Sequence, residues 1–315
     1  MSSERTKKPS KPGPENQHPT LGTFAGVFTP SVLTILGLIL FLKTGFVVGS
    51  AGLIRALLIV LVANSISVLT SISLSAIATN LRVKGGGDYY LISRTLGVQY
   101  GGALGIVLFM AQSVSIAFYA IGLGEVLASS LHLIQPWWPQ VIAAIATAFL
   151  FVLAWLGADW ASRFQYVVLV VLFLGIMAFY AGAIPAFDTG QLEANLVSTD
   201  NVSFWVLFAI FFPAVTGFTQ GVSMSGDLRD PGKSLPRGTF MAVGLSFVIY
   251  TSVVVLFAGA RPGAQLIIDD TSAMGSVSAM VVVEGDPAPD TSPCLRTGLL
   301  GVQVDAFIFQ GPPET

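Results

Sequence analysis

Between residues 21 and 260 the chain alternates long apolar runs with short polar segments. Hydropathy places the runs at about 21–49, 53–79, 100–130, 138–157, 163–184, 204–226 and 237–260. Each is near the ~20 residues that a helix needs to cross a bilayer. None shows the strict alternation of a half-buried strand. The pattern predicts an all-α integral membrane bundle of about seven transmembrane helices.

The first run, LGTFAGVFTPSVLTILGLILFLKTGFVVGS, does not read as one regular helix. Pro30, Thr34 and Gly37 lie inside it. Proline removes a backbone donor and glycine weakens a helix. An interruption near residues 34–37 is expected. In lipid every freed N–H and C=O must find a partner, so a break survives only inside protein or beside a cavity. Taken alone, this run reads better as a kinked packing helix. The sixth run, FWVLFAIFFPAVTGFTQGVSMSGD, repeats the design with Pro213, Thr216, Gly217 and Gly221. Interrupted spans at matching places in two halves point to the midplane site of a secondary transporter. The first and sixth positions suit an inverted repeat of five helices each.

Composition agrees. Hydrophobic residues make up 53% of the 315 residues and charged ones only 10%, against ~25% charged in a soluble domain. A net charge of −2 gives nucleic acid no basic surface. One cysteine, Cys294, excludes an internal disulfide and a cysteine metal site. His18 and His132 are too few and too far apart for a metal cluster. No cofactor motif is present.

Loop charges orient the spans. Residues 1–20 are polar, carry Arg5, Lys7, Lys8 and Lys11, and lack the apolar core of a signal peptide. They read as a disordered cytoplasmic tail. Inner loops then carry Arg82, Lys84 and Arg94, next Arg163, next Arg229, Lys233 and Arg237. The outer loop near 185–203 has Asp188, Glu193 and Asp200 and no Lys or Arg. Lys43, Arg55 and Arg261 are exceptions. Residues 261–315 hold acidic residues and prolines, and read as a polar, extracytoplasmic, atypical tail.

Other patterns are weaker. In RVKGGGDYYLISRTLG, the glycines 85–87 form a hinge before an interfacial helix anchored by Tyr89, Tyr90 and Arg94. GDLRDPGKS has five residues between its glycines where a phosphate loop has four, and no strand precedes it. Asp227 and Asp230 there are expected to cap short helices beside Pro231. GVSMSG is not a nucleophile elbow, and no enzyme motif occurs. Gly45–Gly49 and Gly101–Gly105 are spaced for close helix contacts. On the third span, Glu125 is either functional or faces water. Tyr119 is either a packer or a phenol that meets a cation or a freed carbonyl. Asn201 opens a glycosylation sequon.

Three stretches in order, GVFTPSVLTILGLILFLKTGFVVGSAGL, SAIATNLRVKGGGDYYLISRTLG and FFPAVTGFTQGVSMSGDLRDPGKSLPRGT, resemble the cation–chloride cotransporter family of the amino acid–polyamine–organocation superfamily. The resemblance covers about residues 21–260. It implies two inverted five-helix repeats plus two further helices, with helices one and six broken at the substrate site. It implies a potassium site formed by Thr34, Ile35, Tyr119, Pro213 and Thr216. It also implies chloride sites at the backbone N–H groups of Gly37, Leu38 and Ile39, and of Gly217, Phe218 and Thr219. Half-helix N-termini attract anions, and carbonyl ends suit cations.

The chain departs from that family in three ways. Thr34 stands where the family usually has Asn, which removes an amide oxygen from the potassium site. Asp88 replaces a small residue after the triple glycine. Helices eight to twelve, with the family's sodium ligands and a chloride-site tyrosine, have no counterpart, and the tail departs after about Ala279. The chain is therefore expected to be a C-terminally truncated or frame-altered product, inactive alone or completed by a partner chain.

The reading is cation-coupled chloride symport. Its partners are K+, Na+ and Cl−, membrane lipid, and a homodimer mate or full-length transporter. An amino-acid permease of the same superfamily, using the same N–H groups for a carboxylate, is the alternative. A non-transporting regulatory subunit or a seven-span receptor is the alternative of another class. The receptor conflicts with the charge bias, which puts the N-terminus inside.

Overall fold

The computed structural model describes residues 21–80, 87–131, 133, 135–156, 158–198 and 202–268. Residues 1–20, residues 82–86, His132, Asp200, Asn201 and everything from Asp269 onward, on which the sequence sets expectations, lie outside the described residues. Among the described residues, seven helices are long and apolar enough to cross a membrane. The described chain has one isolated bridge, Leu21 with Leu228, and no strand. The all-α multi-span fold is thus borne out.

The first span starts with a π-helical turn, Phe24–Phe28, and continues as α1, Thr29–Ile35. Pro30 does not interrupt it. The wider turn before it closes on Thr29, whose N–H donates to Phe24, so the missing proline donor falls where the ladder is already offset. The break comes at Leu36 and Gly37, after which α2 covers Leu38–Leu42 and α3 covers Thr44–Asn80. Gly52, at φ +72° and ψ 164°, divides α3 into the end of the first span and the whole of the second. Only glycine adopts that geometry without strain.

The chain goes on through α4 (Gly87–Thr95), α5 (Val98–Ser130), α6 (Trp138–Leu156), α7 (Ala158–Ala183) and the short α8 (Thr189–Ala194). The sixth span begins as α9, Phe204–Phe211. It passes into 3₁₀ turns at Phe212–Val215 and Gly217–Thr219 and ends as α10, Gln220–Ser223. The seventh span is α11, Pro231–Ala260. It starts earlier than expected because Lys233 and Arg237 lie on its first turns and made them look like loop. Pro231 fits there, since the first turn has no use for its absent donor. Asp230 is at the N-cap position, but its side chain caps nothing and pairs instead with Lys233 at 3.3 Å. That corrects its expected capping role.

The interior is built from the first two spans, α9, α11 and one side of α7, which adds Ile176 and Phe179. Val32, Ile59, Phe211 and Phe257 are fully buried there. By contrast α5, α6 and the other side of α7 leave large apolar side chains uncovered, Phe109 at 71% and Trp155 at 81% exposure. In water such a surface would drive association. In a bilayer it meets a solvent of its own kind. Hydroxyls on the second span are tolerated because they bond inward: Ser71 donates to Ser67, Ser75 to Ser71 and Thr70 to Ile66.

The two ends of the bundle are closed differently. At the end where the described chain begins, Arg229 N–H donates to Leu21 O at 3.1 Å and Thr23 Oγ1 to Ser234 Oγ at 3.0 Å. Beneath them Val27, Leu74, Leu91, Val222 and Leu235 form a separate apolar cluster. Helix α4 supplies Leu91, and Arg94 lies over the Tyr90 ring at 5.5 Å. Gly101 and Gly105 let α4 and α5 approach, as their spacing predicts. At the opposite end Asn195 is the hub. Its Nδ2 donates to Ala258 O at 2.7 Å and Arg261 O at 2.8 Å, and its Oδ1 accepts from Gly263 N at 3.0 Å. Its backbone oxygen accepts from Leu53 N at 2.8 Å. A further helix, α12 (Gly263–Ile268), packs beside Gly49, where any Cβ would meet Gly263 O at 2.7 Å.

Asp88, in the first turn of α4, is partly buried, and loss of water pushes its carboxyl above the ordinary 3.8. The folded chain therefore favours the protonated form. Stability falls as pH rises through the unfolded value and toward the raised one. Asp88→Asn is expected to unfold at a higher temperature than the parent at about pH 7, with the gap closing toward about pH 4. Thermal melts in detergent across that range check it. A gap independent of pH would contradict it.

Candidate functional site at two broken helices

The two breaks face each other. A Cβ built on Gly217 would lie 2.5 Å from Thr34 Cγ2 and 2.9 Å from the Thr34 carbonyl carbon. Only a residue without a side chain lets the sixth span come so close to the end of α1. Thr34, Gly37 and Leu38 on one side, and Pro213, Thr216 and Gly217 on the other, keep partial or full exposure. Ile35, Leu36, Ala214, Val215 and Phe218 turn inward and are buried. Each break thus has a sealed face and an open face.

Freed carbonyls are largely taken up by hydroxyls from elsewhere in the bundle. Ser67 Oγ on the second span donates to Val215 O at 2.8 Å. Ser31 Oγ on α1 donates to Phe218 O at 3.0 Å. Tyr250 Oη on α11 donates to Ile35 O at 2.8 Å, with Ala214 O at 3.5 Å. Thr216 Oγ1 donates to Pro213 O at 2.9 Å, and the Thr216 N–H approaches the same oxygen at 3.4 Å. Thr34 Oγ1 donates to Pro30 O at 2.6 Å.

After each break a new segment begins. Gly37 is the N-cap of α2, at φ −85° and ψ −149°, and Leu38 and Ile39 follow in its first turn. Gly217, Phe218 and Thr219 form the 3₁₀ turn that follows the second break. Helix geometry leaves the first amides of such a segment without partners inside it. In a low-dielectric interior an unbonded N–H costs ~1–3 kcal/mol. An anion relieves that cost and also meets the positive end of the following helix segment.

The residues expected to hold a cation are distributed as follows. Thr34 and Thr216 spend their protons on carbonyls, which leaves hydroxyl lone pairs available. Ile35 O keeps one lone pair beyond its bond to Tyr250. Pro213 O receives both contacts from Thr216. Tyr119 is 39% exposed on α5. One turn later on the same face, Gly122 abuts Leu38, with its Cβ position 2.7 Å from Leu38 Cδ2. That places Tyr119 on the side of the first break.

Sequence reasoning missed Tyr250, Ser31 and Ser67. The available signal was the unit cost of a hydroxyl in an apolar helix: each must find an acceptor, and the breaks are where acceptors are spare.

Gly217→Ala is expected to lower stability by ~1–3 kcal/mol, the usual cost of overpacking. Thr34→Ser, which removes Cγ2 but keeps the hydroxyl, is expected to restore part of the loss. Only part returns, because the Thr34 backbone also crowds the new methyl. Denaturation of the single and double variants checks it, and an unchanged single variant would contradict it.

A bundle with two facing broken spans, whose freed carbonyls are bonded by hydroxyls, defines a polytopic membrane protein of the broken-helix type. Residues 26–287 match the amino acid permease family, and the chain belongs to it. It is 34% identical over 257 residues to solute carrier family 12 member 1 of Mus musculus, covering 75% of this chain and 24% of that protein. It is 33% identical over 282 residues to solute carrier family 12 member 2 of Homo sapiens, covering 84% and 23%. It is 33% identical over 293 residues to the bumetanide-sensitive sodium-(potassium)-chloride cotransporter of Manduca sexta, covering 84% and 27%. The chain thus spans about a quarter of the length of these curated relatives. The likeness to cation–chloride cotransporters read from three motifs is borne out, and these relatives are transporters rather than enzymes.

Proposed function

We propose that the chain forms the first part of a cation-coupled chloride symporter. The observation that carries the reading is the meeting of the two breaks, with Gly217 against Thr34 and the neighbouring carbonyls bonded by hydroxyls. Chloride would sit on Gly37, Leu38 and Ile39 N–H and on Gly217, Phe218 and Thr219 N–H. Potassium would use the lone pairs of Thr34, Ile35, Tyr119, Pro213 and Thr216. Bound cation and anion would steady each other where water is scarce. Transport would follow from one part of the bundle rocking against the rest about this site. Placement in the cell membrane with the N-terminus inside is supported by the distribution of Lys and Arg. The name of the Manduca sexta relative, a sodium-(potassium)-chloride cotransporter, supports inorganic ions as cargo.

The test is rubidium uptake into liposomes carrying the purified chain, with chloride or gluconate as anion. Chloride-dependent uptake is expected once the chain is joined by whatever completes the second repeat, supplied as a full-length relative. Amino-acid uptake indifferent to chloride would select the permease reading. Stable co-purification with a transporter, without any change in flux from Gly217→Ala, would select a regulatory subunit.

A further inference from the structure

Tyr250 belongs to neither broken span, yet it touches both. It is fully buried on α11. Its ring meets Phe211, just before the second break, edge-on at 5.1 Å and 79°. Its hydroxyl donates to Ile35 O at the first break, 2.8 Å away, with Ala214 O of the second at 3.5 Å. One phenol carries one proton, so this corner gathers three oxygens around a single hydrogen. α11 itself runs without a break from Pro231 to Ala260 and packs along the second span. It is a fixed post between two segments whose own ladders are cut.

We infer that Tyr250 is a positioning residue that holds the two breaks in register, and that its hydroxyl aims the Ile35 carbonyl at the cation. The cation half of this inference rests on the symport reading. The register half does not. Packing alone would make the ring, not the hydroxyl, the part that matters. The single oxygen removed by Tyr250→Phe separates these roles, because the ring and its contact with Phe211 remain.

Hydrogen exchange on the full chain in lipid nanodiscs is the first measurement. In Tyr250→Phe, amides at 36–40 and 214–220 are expected to exchange at least ~tenfold faster together, while the second span changes less than ~twofold. In Phe211→Leu, which keeps the hydroxyl, both breaks are expected to stay within ~threefold of the parent. A rise at only one break, a uniform rise along the chain, or an equal rise in Phe211→Leu would overturn the inference. The second measurement is equilibrium binding of rubidium and of chloride. Half-saturation by rubidium is expected to rise at least ~fivefold in Tyr250→Phe, and by chloride less than ~twofold. Equal weakening of both ions would overturn the aiming role. Failure of the symport reading looks different: the parent binds neither ion, while Tyr250→Phe still frees both breaks.

Discussion

Gly52→Ala is expected to cost about 2–6 kcal/mol, summing ~1–3 kcal/mol of backbone strain and ~1–3 kcal/mol of overpacking. The strain arises because Gly52 sits at φ +72° and ψ 164°, a region closed to residues with a Cβ. The overpacking arises because that Cβ would lie 2.5 Å from Ser198 N and 2.9 Å from Val197 C. Both neighbours are backbone, so no rotamer change relieves them. The turn joining the first and second spans would have to open, and with it the contact of α3 with the 195–198 segment. Unfolding in detergent, followed by thermal and urea melts, measures the loss. A variant within ~0.5 kcal/mol of the parent would show that the turn is not as tight as described.

Asn195→Ala is the second large effect, expected at about 2–4 kcal/mol. Three side-chain hydrogen bonds go, of 2.7, 2.8 and 3.0 Å. Each contributes ~1 kcal/mol net, and a partner left buried without water costs more. Two of the partners, Ala258 O and Arg261 O, end the seventh span, where helix carbonyls have no ladder donor. Asn195→Asp is expected to be worse than alanine. It keeps an acceptor for Gly263 N but sets negative oxygens against two carbonyls. If Asn195→Asp were the milder change, the assigned orientation of the amide would be wrong. Because Leu53 N donates to Asn195 O, next to Gly52, the losses in the double variant Gly52→Ala/Asn195→Ala should sum to less than the two singles.

Both positions show where sequence reasoning stops. The segment 185–203 was legible as an acidic loop from Asp188 and Glu193. Nothing local marked Asn195 as the residue that ties the ends of three spans, since its partners are 63 to 68 residues away. The seven spans were legible because apolar length alone decides whether a helix can cross a bilayer. The break at Gly37 was legible from Gly and Thr content, and that in the sixth span from Pro213, Thr216 and Gly217. Pro30 looked like a breaker and is not one, because the π-turn ahead of it is a feature of the backbone ladder and leaves no mark in composition. Which carbonyls at each break are bonded was also not legible. It depends on Ser31 reaching Phe218 across 187 residues and Ser67 reaching Val215 across 148. Hydroxyls scattered over apolar helices read as filler until their acceptors are known.

The central claim is that the amides opening the segments after the two facing breaks receive an anion whose binding is coupled to a cation. Equilibrium binding of radioactive chloride to the purified chain in nanodiscs, titrated with potassium, tests it most directly. The account predicts saturable binding that tightens as potassium rises, a matching effect of chloride on rubidium binding, and weakening of both by Gly217→Ala. Chloride binding that never saturates, or that ignores potassium while the fold stays intact, would contradict it.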